Sequence, residues 1–131
     1  MELSERTGIS HFDNLELLQC KSTSHEFPLH YHSTFYLSII HDGMMGENEI
    51  VAPVGALLIS HPFEIHQNKL INQTAYSFTT FYISPDLFGT AAKSKTIFFK
   101  EKVIYDNSLV RSFNQLARQI LLSTGVDGDV L

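Results

Sequence analysis

The sequence has a single cysteine, Cys20, so no disulfide can close within the chain, and a small apolar filler on a strand is the simplest role for that thiol. It has no apolar run of membrane-spanning length. Its first residues, Met1-Glu2-Leu3-Ser4-Glu5, are too acidic and polar for a secretory leader. Together these absences make a cytoplasmic location, with no membrane partner, the expectation. Basic charge is also scarce: Lys and Arg total 9 against 14 Asp and Glu, a formal net charge of −5. A reader of duplex DNA carries a cationic face, so these residues are not expected to hold DNA by themselves. A Ser-His-Asp arrangement, a phosphate-binding glycine loop, a cysteine-rich metal motif, an internal repeat and a low-complexity tract are all missing.

What is present suits one folded domain. The 131 residues are 44% hydrophobic and 18% charged, enough to bury a core and too apolar for a disordered chain. Residues 1–14 are polar and without sustained period, and read as an N-terminal arm. Leu15 to Cys20 is strand-like. Phe27 to Ile40 reads as one long strand entered through Pro28 and closed by the turn His41-Asp42-Gly43, with Glu47 to Val51 returning as its hairpin partner. Ala56 to Ser60 is a short buried strand, residues 65–71 hold another, and Tyr76 to Ile83 is rich in strand formers. Short strands broken by glycine and proline indicate a barrel or sandwich.

The pattern then changes. Ser84-Pro85-Asp86-Leu87-Phe88 resembles a helical turn with proline at its first position. Residues 93–102 are mixed, with Ile97-Phe98-Phe99 as a local apolar cluster. Asp106, Asn107 and Ser108 are all good N-caps for the one long helix, where Leu109, Phe113, Leu116 and Ile120 step by four, three and four. Val110, Ala117 and Leu121 widen that stripe, so it could pack on the barrel, on the same helix of a second copy, or on both. Gly125 to Asp129 ends the helix and reads as the start of a linker.

Histidine carries the most chemistry. There are 7; His30 and His32, two apart on a strand, share a face, and His66 follows the next turn region. Two imidazoles from one strand and a third from its neighbour can converge on a divalent cation, or simply line a polar pocket. His11, His25, His41 and His61 receive no role.

The stretch from His30 to Gly43 resembles the first cupin motif: a His-x-His pair, an apolar strand, then glycine. Gly55 to His66 resembles the second, with glycine, a buried strand, proline and histidine. The Pro62-Phe63-Glu64-Ile65-His66 variant, followed by an aromatic strand ending Tyr82-Ile83-Ser84-Pro85, is similar to the sensor domains of AraC/XylS-type transcription regulators. The resemblance spans about residues 27–88, and the helix after Tyr105 matches that family's dimerisation helix. Two departures stand out. Cupin enzymes place a carboxylate after three or four intervening residues beyond the His pair, where this chain has Tyr36 and Leu37, and Glu64 stands where they carry glycine.

The resemblance implies a mainly β fold, a cupin-like barrel (double-stranded β-helix or jelly roll) over 15–105, followed by a C-terminal helix and linker start over 106–131. It implies no catalysis, a sugar or other small metabolite as effector, and a pocket lined by His30, His32, Thr34, Tyr36, His66, Phe78 and Tyr82 without a metal. If a metal binds, His30, His32 and His66 are its candidate ligands. It implies a homodimer through Leu109, Phe113, Leu116 and Ile120, and contact with promoter DNA only through a helix-turn-helix domain outside these residues. By alternation, the inward face would hold His30, His32, Thr34, Tyr36 and Ser38 on one strand and Tyr76, Phe78, Thr80 and Tyr82 on the other. The alternative is a stand-alone metal-dependent cupin enzyme, a dioxygenase or isomerase.

Overall fold

The computed structural model describes residues 7–12, 15–87 and 99–123. Among the described residues, ten strands form two antiparallel sheets. Those of the larger sheet are β1 (Thr7–Phe12), β2 (Leu15–Thr23), β4 (Phe35–Asp42), β7 (Leu57–Ser60), β9 (Tyr76–Ile83) and β10 (Val103–Ile104), in the order β1-β2-β9-β4-β7-β10. The smaller sheet has β3 (Phe27–His30), β5 (Met44–Glu47), β6 (Ile50–Pro53) and β8 (His66–Lys69), in the order β3-β8-β5-β6. Helix α1 (Asn107–Ser123) follows, its first turn capped by Asp106, whose carboxylate accepts from the Leu109 N–H at 3.0 Å. No described helix is long and apolar enough to cross a membrane.

The centre of the larger sheet is β9, flanked by β2 and β4. Phe81 pairs with Leu17 on one side and Leu37 on the other, while Phe78 pairs with Cys20 and Ile40. Alternation sends these two rungs to opposite faces. Outward, Leu17, Phe35, Leu37, Ile39, Phe81 and Ile83 form one core with Ala117, Ile120 and Leu121 of α1. Inward, Cys20, Ile40, Leu58, Tyr76 and Phe78 meet Met45 and Ala52 of the smaller sheet. The six-stranded sheet thus has an apolar core on each face.

Three sequence expectations change. Phe27 to Ile40 is two strands in different sheets, because the chain crosses the barrel edge over residues 31–34. The turn at Gly43 is not a hairpin tip but a second crossing, from β4 to β5; the hairpin is β5–β6, turning at Asn48 with φ 54°. Glycine is required at that crossing: φ is +72°, and a Cβ would stand 2.5 Å from the Ala75 carbonyl. Part of the expected arm is strand β1, paired with β2 from Thr7↔Cys20 to Phe12↔Leu15. Its ladder is made of backbone bonds, which need no apolar period to form. The rest of the arm, Phe88, Ile97, Phe98 and the linker lie outside the described residues. The turn after Ser84 forms as expected, with the Leu87 N–H donating to the Ser84 hydroxyl at 3.1 Å.

Phe81 is fully buried between three strands and Phe113, whose ring centroid is 5.2 Å away. Phe81→Ala is expected to cost about 3–5 kcal/mol of unfolding free energy, read as a lower urea midpoint at unchanged slope.

Candidate functional site

A cavity of about 310 Å³ opens between the two sheets. The smaller sheet supplies Phe27, His30 and Asn68; the larger supplies Leu18, Tyr36, Phe78 and Tyr82; His32 comes from the crossing between them. The expected parity holds for Tyr36, Phe78 and Tyr82, although the strand carrying His30 ends before His32. Thr34 does not line the cavity; it sits in the bend before β4 with its hydroxyl buried and without a hydrogen-bond partner.

The three histidines do come together. His30 and His66 are register partners on β3 and β8, with ring centroids 4.3 Å apart; His32 lies 4.8 Å from His30 and 5.3 Å from His66. One nitrogen from each falls within 4.8 Å of the others. The local backbone sets their tautomers. The His66 ring faces the Glu64 carbonyl at 3.1 Å through Nδ1, and His30 Nδ1 faces the Pro28 carbonyl. A carbonyl only accepts, so Nδ1 carries a proton in both rings, and the tautomer of the neutral form is the one with its lone pair on Nε2. Nε2 of His66 and of His32 are both buried with no partner in the protein.

The ring of His32 stacks on Tyr36, centroids 5.6 Å apart at 14°, and lies 5.0 Å from Tyr82. Burial, with His30 and His66 nearby, lowers its pKa to about 4, so it is neutral at pH 7. Burial, with Tyr82 and Glu47 beside it, pushes the Tyr36 phenol well above its ordinary value. Tyr82 moves the same way, through burial and the nearby Glu16 and Cys20. The site therefore offers uncharged hydroxyls and imidazole acceptors on aromatic walls. Neutral imidazoles with Nδ1 held by carbonyls also form a donor set that suits a divalent cation, and His30, His32 and His66 are the residues that would hold one.

Three contributors escaped the sequence reading. Asn68 is 2% exposed and donates from its amide to the Gly46 carbonyl at 3.1 Å. Phe27 packs edge-on against Phe78, 6.5 Å between centroids. Glu47, 1% exposed, accepts from the Ser60 hydroxyl at 2.6 Å and lies 3.7 Å from the Lys102 ammonium. Lys102 also pairs with Glu64. Burial opposes ionisation of Glu64, but the hydrogen bonds from Lys102 and from the His61 N–H outweigh it and hold the carboxyl below the usual range.

The helix stripe is divided. Phe113 and Ile120 pack on the chain's own sheet, whereas Leu109 and Leu116 are 36% and 38% exposed.

Two antiparallel sheets around an internal cavity, with a C-terminal helix on the back, define a β-barrel of the cupin type. The family model of the AraC-like ligand binding domain matches residues 14–129, and the chain belongs to that family. No curated protein matches the sequence. Among solved structures, KdgF from Halomonas sp. is similar at 13% identity and a TM-score of 0.51, covering 67% of this chain and 86% of its own. A conserved protein of unknown function from Streptococcus pyogenes is similar at 13% identity and a TM-score of 0.50, covering 62% and 73%. A cupin domain from Bordetella pertussis Tohama I gives 12%, 0.49, 61% and 93%. Identities this low speak to fold alone.

The lowered value at His32 fixes the sign of an acid effect. Between pH 6.5 and about 4 the unfolded chain binds a proton at His32 that the folded protein refuses, so stability falls as pH falls through this window. Urea midpoints at pH 7, 5.5 and 4.5 should drop less in His32→Asn than in the parent. An unchanged slope would mean that His32 titrates normally.

Proposed function

We propose that this chain is the effector-sensing and dimerisation domain of a bacterial AraC-type transcription regulator, and not an enzyme. A small molecule bound in the barrel would control a helix-turn-helix DNA-binding domain attached to it. The observation that carries the reading is a buried, unpartnered imidazole acceptor, His32 Nε2, on the wall of an aromatic cavity of about 310 Å³, with a second, His66 Nε2, on the ring 5.3 Å behind it that does not itself line the cavity. Buried acceptors are costly unless something donates to them. A small polyhydroxyl compound such as a monosaccharide offers several O–H donors and an apolar ring face for Tyr36, Phe78 and Tyr82, and the cavity volume suits one such molecule.

A route from cavity to helix supports a sensing role. The Glu64 carbonyl holds His66, and the Glu64 carboxylate holds Lys102. Lys102 immediately precedes β10, which pairs with β7 and leads into α1. An occupant that shifts His66 would therefore pull on the segment from which the helix hangs. The domain division follows: barrel over 15–105, dimerisation helix and linker start over 106–131, with a cytoplasmic location. The second reading, a metal-dependent cupin enzyme, is favoured by the three nitrogens within 4.8 Å, but no carboxylate follows the His pair.

Thermal unfolding of the purified chain against a panel of aldopentoses and aldohexoses tests the first reading. At least one sugar should raise Tm, and His32→Phe, which keeps the ring against Tyr36 but removes the acceptor, should weaken its binding by about tenfold or more. No shift with any sugar would overturn the monosaccharide assignment. A shift abolished by EDTA and restored by zinc or iron would put the cation reading first.

For assembly, light scattering should give a dimer that Leu116→Glu converts to a folded monomer, since Leu116 points away from the barrel. A monomeric parent, or a mass unmoved by the substitution, would remove α1 as the dimer contact.

A further inference from the structure

A second cleft, about 550 Å³, lies on the opposite side of the larger sheet from the barrel cavity, between the outer ends of β2, β4 and β9 and helix α1. Along most of its length that outer face is apolar where α1 covers it, as at Leu17, Phe81 and Leu37. Two residues further along the strands the rung changes character: Gln19 pairs with Thr79, and His41 follows Ile39 on β4. The helix answers with Asn114 and Arg118 on either side of the small Ala117. A packed helix over a polar rung is normally closed by hydrogen bonds between the two layers. Here the layers stand apart.

The polar groups are only partly satisfied. The Thr79 hydroxyl lies 2.7 Å from His41 Nε2 and accepts from Gln19 Nε2 at 3.4 Å. Gln19 Oε1 is buried with no partner. Lys21 and Arg118 line the same cleft, and among the described residues no carboxylate stands within ion-pair distance of either. Asp42 lies on the rim, giving the cleft both signs of charge around an acceptor that lacks a donor.

We propose that this cleft is a second ligand site, distinct from the barrel cavity, that takes a free α-amino acid. The carboxylate pairs with Arg118, whose planar fork matches it in bidentate geometry, with Lys21 alongside. The ammonium donates to Gln19 Oε1 and faces Asp42. The volume leaves room for a side chain as well as the zwitterionic head. A plain carboxylate would leave Gln19 Oε1 unsatisfied, and a simple amine would leave both cations unpaired. Because the ligand bridges sheet and helix, it would also fix α1 against the barrel.

The test is a ¹H–¹⁵N correlation titration of the whole chain, taking each common L-amino acid separately up to 10 mM. At least one should give saturable shifts of the Gln19 and Asn114 side-chain amides and of the Arg118 Nε–H. The deaminated analogue of that amino acid should bind about tenfold more weakly, and Arg118→Met should cause a similar or greater loss. Arg118 is exposed, so its substitution should leave the spectrum dispersed. Absence of saturable shifts with every amino acid overturns the proposal. So do shifts that survive Arg118→Met, equal binding of the deaminated analogue, or shifts that map to Tyr36 and Phe78 instead.

Discussion

The pairing of β4 with β9 is the constraint on which the remaining structure depends. From Phe35↔Ile83 to Ile40↔Phe78 the register runs without interruption, so each strand's two faces are assigned together. One set, Phe35, Leu37, Ile39, Phe81 and Ile83, must find apolar cover outside the barrel, and α1 supplies it. The other, Tyr36, Ser38, Ile40, Phe78, Thr80 and Tyr82, turns inward. Ser38 and Thr80 close on each other at 2.6 Å in full burial, satisfying two hydroxyls that would otherwise be stranded. A slip of one residue would place those hydroxyls under the helix and Phe81 in the cavity. Helix docking and cavity chemistry are thus two consequences of one register.

The histidine site follows from the smaller sheet in the same way. Register pairing of His30 with His66 brings two rings together, and the crossing over 31–34 brings the third. Local carbonyls then take the Nδ1 protons of two rings, which leaves Nε2 lone pairs to define the site. Burial, with His30 and His66 beside it, lowers the value at His32 and keeps that ring neutral. A neutral His32 is an acceptor, able to serve a hydroxyl donor or a cation. What separates those uses lies beyond the histidines. Tyr36 stands at a position where the resemblance to cupin enzymes would place a carboxylate, and its phenol stays protonated.

Much of this was legible in the sequence, and the failures have physical causes. Tyr76 to Ile83 was read to the residue because alternating aromatic and hydroxyl side chains admit only a strand. The long helix was found from its caps and its apolar steps. The break between β3 and β4 was invisible, because residues on both sides favour strand and a change of sheet leaves no mark in the alternation. β10 was missed because two residues have no period; Val103 and Ile104 are held by pairing with Leu58 and Leu57. In the site, the His pair and the aromatic walls were found from spacing, whereas Glu47 and Asn68 were not. Their roles are set by what faces them across the barrel, and a charged residue between turn formers reads as solvated surface.

Glu47 also explains how the barrel and the segment before the helix stay together. A carboxylate 1% exposed is tolerated only where other groups replace its water. Ser60 supplies a hydroxyl from β7, and Lys102 supplies the charge from just before β10. Lys102 serves Glu64 as well, while its carbonyl accepts from the Ile59 N–H at 2.8 Å, so both its side chain and its backbone are committed to the barrel. The Phe99 N–H donates to His61 Nε2 at 2.8 Å and adds a second attachment. The approach to α1 is therefore fixed to the same short stretch, Ser60 to Glu64, that leads into His66. Dividing the helix stripe follows from that anchoring. With its start held at the β7 edge, α1 must lay Phe113, Ala117, Ile120 and Leu121 on the sheet, and Leu109 and Leu116 are left on the outer flank.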